Sequence, residues 1–83
     1  MYKVLIEKAA QKQLERIPEP DYSRIKKAIL DLGENPRPPG FKKLKGRPGY
    51  RIRQGDFRII YIIKDKMLTV FVLETENRKD IYE

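Results

Sequence analysis

Three apolar segments in the second half of the chain stand so close together that only one kind of connection can join them. Tyr50–Gln54 and Phe57–Lys64 are separated by Gly55-Asp56 alone, and Lys64-Asp65-Lys66 leads from the second into residues 67–75. Parallel neighbours need a crossover of about a dozen residues or more, so links this short permit only antiparallel hairpins. Gly and Asp both tolerate the positive φ that a two-residue turn demands. The segments are rich in Ile, Val, Tyr and Phe, which suit a pleated, half-buried surface. Residues 50–75 therefore read as an antiparallel meander.

Upstream the period changes. Residues 2–6 read as a short strand, apolar except for Lys3. From Glu7 onward Ala10, Leu14 and Ile17 fall at i, i+4 and i+7, one face of a helix that Pro18 stops. Pro20 sits where a first helical turn tolerates it, and Tyr22, Ile25, Ile29 and Leu32 form a second stripe. Gly33 and Asn35-Pro36 close that helix. Arg37-Pro38-Pro39-Gly40 is a loop, residues 41–44 are a short extended piece, and residues 46–49 form another turn. Residues 77–82 are left as a turn or tail. The order is β-α-α-β-β-β. This is an α+β fold with a mostly antiparallel four-stranded sheet and two helices packed on one face. At 83 residues the chain has room for a single domain, 1–83, around one small core. The first apolar run, Val4 to Ile6, is too short for a signal-peptide core, and no run approaches the roughly 18 residues of a membrane span. A cytoplasmic protein without membrane contact is expected.

Composition then restricts the chemistry. There is no His and no Cys, which excludes Ser–His–Asp and Cys–His nucleophilic sites, thiol redox chemistry, Cys/His zinc sites and disulfides. No metal and no cofactor is expected. The net charge of +7 is confined to one stretch. Residues 36–64 hold nine basic side chains against the single acid Asp56, whereas residues 1–35 are nearly balanced and residues 65–83 are net acidic. A clustered basic segment is the electrostatic footprint of a nucleic-acid binder. Strand alternation sharpens it, because Arg51 and Arg53 point away from Tyr50, Ile52 and Gln54, and Arg58 shares a face with Ile60 and Ile62. Regular alternation puts Glu74 in phase with Val70 and Val72, with Arg78 following on the same side. One sheet face thus collects Arg51, Arg53 and Arg58, joined by Arg78 and Glu74. Guanidiniums crowded on one face repel unless an anion sits among them, and their planar donors match phosphate.

The stretch GYRIRQGDFRIIYIIKDKMLTVFVLETENRKDIY, residues 49–82, resembles the RelE/ParE superfamily of toxins from toxin–antitoxin pairs. It matches the pattern Y-R-[IV]-R-x-G-[DN]-[YF]-R-[IVL]-[IVL]-Y, then a strand, then a tail carrying Arg78 and Tyr82. Lys42-Lys43-Leu44-Lys45-Gly46 also looks like the K-L-K-G step before the hairpin. RelE-like members cut mRNA in the ribosomal A site, and ParE-like members inhibit DNA gyrase on the same fold, so fold alone does not choose between them. The RelE-like reading implies a ribosome-dependent endoribonuclease with Arg51, Arg53, Arg58, Arg78 and Tyr82 as its catalytic set. The reaction is attack of a ribose 2′-hydroxyl on the adjacent phosphate. Arg58 and Arg78 would neutralise growing phosphate charge, and Tyr82 would stack on a base or donate a proton. Lys43, Lys45 and Arg47 would grip RNA phosphates.

Two departures bear on the general base. RelE itself has lysines where this chain has Arg51 and Arg53, and an arginine keeps its proton. Many relatives also have a His shortly before the tail arginine, where this chain has Glu76-Asn77. Glu74 and Glu76 are then the candidate bases, unless they serve to balance the basic face. The alternatives are a ParE-like gyrase inhibitor and an attenuated toxin acting chiefly as a co-repressor. The resemblance implies a cognate RelB-like antitoxin, the ribosome and mRNA as partners, and operator DNA reached only through the antitoxin complex.

Overall fold

The computed structural model describes residues 1–77. Strand β1 (Lys3–Ile6) leads into helices α1 (Lys8–Glu15) and α2 (Asp21–Asp31), followed by β2 (Lys42–Lys43), β3 (Tyr50–Gln54), β4 (Phe57–Lys64) and β5 (Thr69–Asn77). The sheet order is β1-β5-β4-β3-β2. Only β1 and β5 run parallel; the other neighbours are antiparallel. The α+β class and the two-helix, meander-plus-N-terminal-strand layout match the sequence expectation. The sheet has five strands rather than four, because the extended piece around residues 41–44 pairs with β3 through Lys42 and Lys43.

Both helices form where the apolar stripes lie. Ala10 and Leu14 of α1, and Ile25 and Ile29 of α2, are completely buried. Glu19 supports the start of α2 by accepting from the Ser23 N–H at 2.9 Å and the Ser23 hydroxyl at 2.6 Å, which satisfies one orphan donor of the first turn. The helices meet Ile52, Phe57, Ile59, Tyr61, Val70 and Val72 from one sheet face. Each fully buried Leu or Ile of this layer contributes about 1.5–3 kcal/mol relative to exposure. Gly55 takes φ +61° in the two-residue β3–β4 turn, a value at which L side chains are strained. Helix α1 lies against β5 and α2 against β3, leaving the other sheet face open.

The second turn departs from expectation. Residues Asp65–Met67 form a short 3₁₀ turn and Leu68 adopts φ 48°, so β5 begins at Thr69 rather than Met67 and runs on through Asn77. The expected phase of Glu74 is also corrected. Tyr61 pairs with Val72, but Ile60 pairs with Glu74, so Leu73 is an extra residue in a β-bulge. The bulge reverses the alternation. Val70, Val72 and Thr75 face the helices, while Glu74 and Glu76 turn to the opposite side. Thr75 is held there by two contacts with α1: its N–H donates to Gln13 Oε1 at 2.7 Å and its hydroxyl to the Ala10 carbonyl at 3.2 Å.

Candidate nucleic-acid interface

Register alone arranges the open face into two rows running across the strands. In the first, Lys42 lies opposite Arg51, Arg51 opposite Ile60, and Ile60 opposite Glu74. In the second, Arg53 lies opposite Arg58 and Arg58 opposite Glu76. Directly opposed side chains have Cβ atoms roughly 4.5–5.5 Å apart, so like charges here act on each other strongly. Arg51 also feels its diagonal and same-strand neighbours: its affinity for a proton is lowered by burial first, then by Arg53 and Arg58. Arg58 reaches its neighbour Glu76 at 3.3 Å, with only 30 % and 19 % of the two side chains exposed. That contact uses one terminal nitrogen, and the buried Arg58 Nε–H has no hydrogen-bond partner among the described residues. A buried donor left open is costly unless something completes it.

The loop between β2 and β3 forms the wall above these rows. The Leu44 N–H donates to the Gly49 carbonyl at 3.0 Å, closing the turn that carries Lys45 and Arg47. Gly49, at φ +121°, sits so tightly that a Cβ there would come within 3.0 Å of the Tyr61 carbonyl oxygen. Arg47 crosses to Glu74 at 2.7 Å. Ile60 explains that choice: an apolar residue stands between Arg51 and Glu74, so the carboxylate takes its cation from the loop. The result is a groove of about 640 Å³, with Lys43, Arg51 and Arg58 on the sheet and Lys45 and Arg47 in the loop. Glu74 and Glu76 line its far side.

Most of the expected residues therefore converge. Arg51, Arg58, Lys43, Lys45, Arg47, Glu74 and Glu76 share the groove, whereas Arg53 does not line it and opens toward the β2 edge. Arg78 and Tyr82 lie outside the described residues. Both carboxylates considered as bases are bonded to guanidiniums, Glu74 to Arg47 and Glu76 to Arg58. Sequence reasoning did not single out Lys42, which lines the groove opposite Arg51, although it opens the K-K-L-K-G run. A guanidinium cluster of this kind can hold phosphate oxygens by bidentate hydrogen bonds and stabilise added negative charge on them. No group of three His, Cys, Asp or Glu side chains suited to a metal occurs among the described residues.

Residues 4–82 match the pattern of the family described as the ParE toxin of the type II toxin–antitoxin system parDE. No curated protein matches the chain. Among solved structures the chain is similar to the toxin of the archaeal RelE–RelB complex from Pyrococcus horikoshii. That match has a TM-score of 0.82 at 31 % identity and covers 93 % of this chain and 94 % of that one. The RelBE2 toxin–antitoxin complex of Mycobacterium tuberculosis matches with a TM-score of 0.81 at 26 % identity, over 93 % and 98 % of the two chains. The isolated RelE toxin of E. coli matches with a TM-score of 0.79 at 25 % identity, over 99 % and 92 %.

Proposed function

Because the chain belongs to the RelE/ParE superfamily of type II toxin–antitoxin toxins, we propose that it is a RelE-like mRNA interferase that cuts mRNA on the ribosome and so stops translation. The observation that carries this reading is the groove in which Arg51 and Arg58 face Lys43 of β2 and the Lys45–Arg47 loop, with a buried Arg58 Nε–H that has no hydrogen-bond partner among the described residues. The groove is open, basic and without His, which suits a long polyanion held by its phosphates rather than a small neutral substrate.

The reaction proposed is the one the RelE-like resemblance implies, and the groove supplies charge for it. A ribose 2′-hydroxyl gives up its proton to water as its oxygen forms a bond to the adjacent phosphorus, and the bond from phosphorus to the 5′-oxygen breaks. That oxygen takes up a proton from water or Tyr82, and a 2′,3′-cyclic phosphate and a 5′-hydroxyl result. Arg58 stabilises the charge that gathers on the phosphate oxygens, using the donors Glu76 leaves free. Arg51 neutralises the same phosphate from the neighbouring strand. Lys43, Lys45 and Arg47 hold flanking phosphates, which gives affinity and little sequence choice. Glu76 and Glu74 position Arg58 and Arg47. Arg78 and Tyr82 keep the roles the family pattern implies for them, phosphate neutralisation and base stacking or proton donation. The ribosome supplies the alignment of the scissile step.

The relatives from Pyrococcus horikoshii and Mycobacterium tuberculosis were solved with RelB-type antitoxins. A comparable acidic or amphipathic antitoxin segment that folds on binding is the partner proposed here, with operator DNA bound only by the joint complex. Action on ribosomes places the protein in the cytoplasm. The match to the ParE toxin pattern favours a second reading, inhibition of DNA gyrase. Expression without antitoxin separates the two: amino-acid incorporation should collapse before plasmid supercoiling changes, and the reverse order supports the gyrase reading.

A further inference from the structure

Neutralisation of the basic face stops at β4. Carboxylates enter the two cross-strand rows only on β5, where Glu76 takes Arg58 and Glu74 takes Arg47. On the β2–β3 side, Lys42, Arg51 and Arg53 make no ion pair among the described residues. Lys42 directly opposes Arg51, and Arg53 directly opposes Arg58. Like charges in those positions destabilise a sheet. Nothing in the packing of the core requires them, since Lys42 and Arg53 are exposed.

These three cations border a second cleft, which shares Lys42 and Arg51 with the main groove. It measures about 290 Å³ and is lined by Pro39, Gly40, Lys42, Arg51, Ile52 and Arg53. Strand β2 pairs only with Tyr50 and Arg51, so the edge of β3 beyond Arg51 has no strand neighbour, and the Pro39–Gly40 loop borders the cleft there. That loop is anchored. The Tyr61 hydroxyl donates to the Pro36 carbonyl at 2.8 Å, Arg37 grips Asp65 with both terminal nitrogens at 3.2 and 2.9 Å, and the Phe41 N–H donates to the Pro38 carbonyl at 3.0 Å. Arg51 alone among the arginines lines both this cleft and the main groove.

We propose that the Lys42–Arg51–Arg53 cleft is a second phosphate seat, which holds the phosphodiester next to the one in the main groove, with Lys42 and Arg51 shared between the two and Arg53 its own. The proposal rests on the reading that the face binds single-stranded RNA. It gives Arg53 a substrate-holding task distinct from that of Arg58, and it sets the direction of the strand across the sheet, from β5 toward β2. The depressed proton affinity of Arg51, caused by burial and by its two arginine neighbours, fits a position completed by an anion.

The test uses the full chain, a 2′-O-methyl single-stranded RNA that cannot be cut, and inorganic phosphate. Losing one phosphate contact on a single strand lowers the slope of log affinity against log salt by about 0.7. Raising salt from 50 to 200 mM should therefore weaken wild-type binding about 2.6-fold more than R53Q binding. Inorganic phosphate should shift the side-chain Nε–Hε NMR signals of Arg51 and Arg53. An R53Q slope equal to wild type, or phosphate shifts confined to Arg58, overturns the proposal. If phosphate shifts Arg51 and Arg53 and the R53Q slope falls, the seat stands even where a translating extract shows no mRNA cleavage. That last result counts against the ribonuclease reading alone.

Discussion

Replacing Tyr61 with Phe tests how the loop beside the basic face is held, and the structure supplies both a size and a sign. Tyr61 is completely buried in β4, and its hydroxyl donates to the Pro36 carbonyl at 2.8 Å. Phe fills the same space but leaves that carbonyl without its donor. A neutral hydrogen bond contributes about 1 kcal/mol net, and an abandoned buried partner costs about 1–3 kcal/mol. Near pH 7 the variant should lose about 1–2 kcal/mol, at roughly 4–8 °C of melting temperature per kcal/mol for a domain of this size. Alkaline pH changes the balance. Burial, as the main cause, pushes the Tyr61 hydroxyl up to about 12 from 10.0, with Arg37 opposing.

The unfolded tyrosine ionises first, so this stabilisation is complete below pH 10 and is lost as pH rises through the folded value. A gap of about two units corresponds to about 2–3 kcal/mol. Y61F has nothing there to lose, and every other side chain is common to the two proteins. Urea melts followed by circular dichroism at pH 7, 9 and 11 should find the wild type ahead at pH 7 and the difference shrinking, then reversing, above about pH 11. Parallel stability curves, or equal stability at pH 7, would refute the reasoning.

Asp65 accepts from Arg37 and from the Tyr2 hydroxyl, the latter at 2.6 Å, and these bonds, Arg37's first, hold its carboxyl below the usual range. D65N should be less stable than wild type near neutrality. The gap should close as pH falls below about 4 and through the lowered pKa, as acid melts would record. E76Q keeps a hydrogen-bonding group beside Arg58, so cleavage should fall by less than about tenfold. A loss of about 10²-fold or more, with the acidic limb of the pH–rate profile gone, would instead make Glu76 the general base. Deleting Leu73 removes the residue that opposes nothing, leaving Val72 and Thr75 facing the helices in a regular strand. That variant should fold with a loss of about 1 kcal/mol, the worth of one half-buried Leu. Unfolding of the variant would contradict the bulge assignment.

The hairpins and the helical stripes were legible because their signals are local: a two-residue Gly-Asp link, and apolar residues at helical spacing. The basic face was legible for the same reason, since Arg51, Arg53 and Arg58 sit on strands whose phase the sequence dictates. Glu74 was not. A bulge formed at a leucine has no turn residue to announce it, and regular alternation put Glu74 with Val70 and Val72. What opposes the regular phase is tertiary: Gln13 and the Ala10 carbonyl on α1 draw Thr75 inward. The Arg47–Glu74 bridge joins residues 27 apart in sequence and depends on Ile60 occupying the place between Arg51 and Glu74. β2 escaped notice as a strand because two paired residues carry no period. The separation of Arg53 from the main groove likewise follows from where β2 ends, a fact of pairing rather than of pattern.

The central claim, that the Arg51–Arg58 groove cuts mRNA during translation, is tested most directly by mapping 5′ ends of a reporter mRNA in a translating extract by primer extension. Wild-type protein and R58A should be compared, with and without ongoing translation. Wild-type protein should produce cuts inside the coding region only while ribosomes translate, and R58A should reduce them by about 10²–10³-fold, as expected for removal of one main charge-stabilising donor. Intact mRNA in the presence of wild-type protein, alongside inhibited gyrase supercoiling, would contradict it.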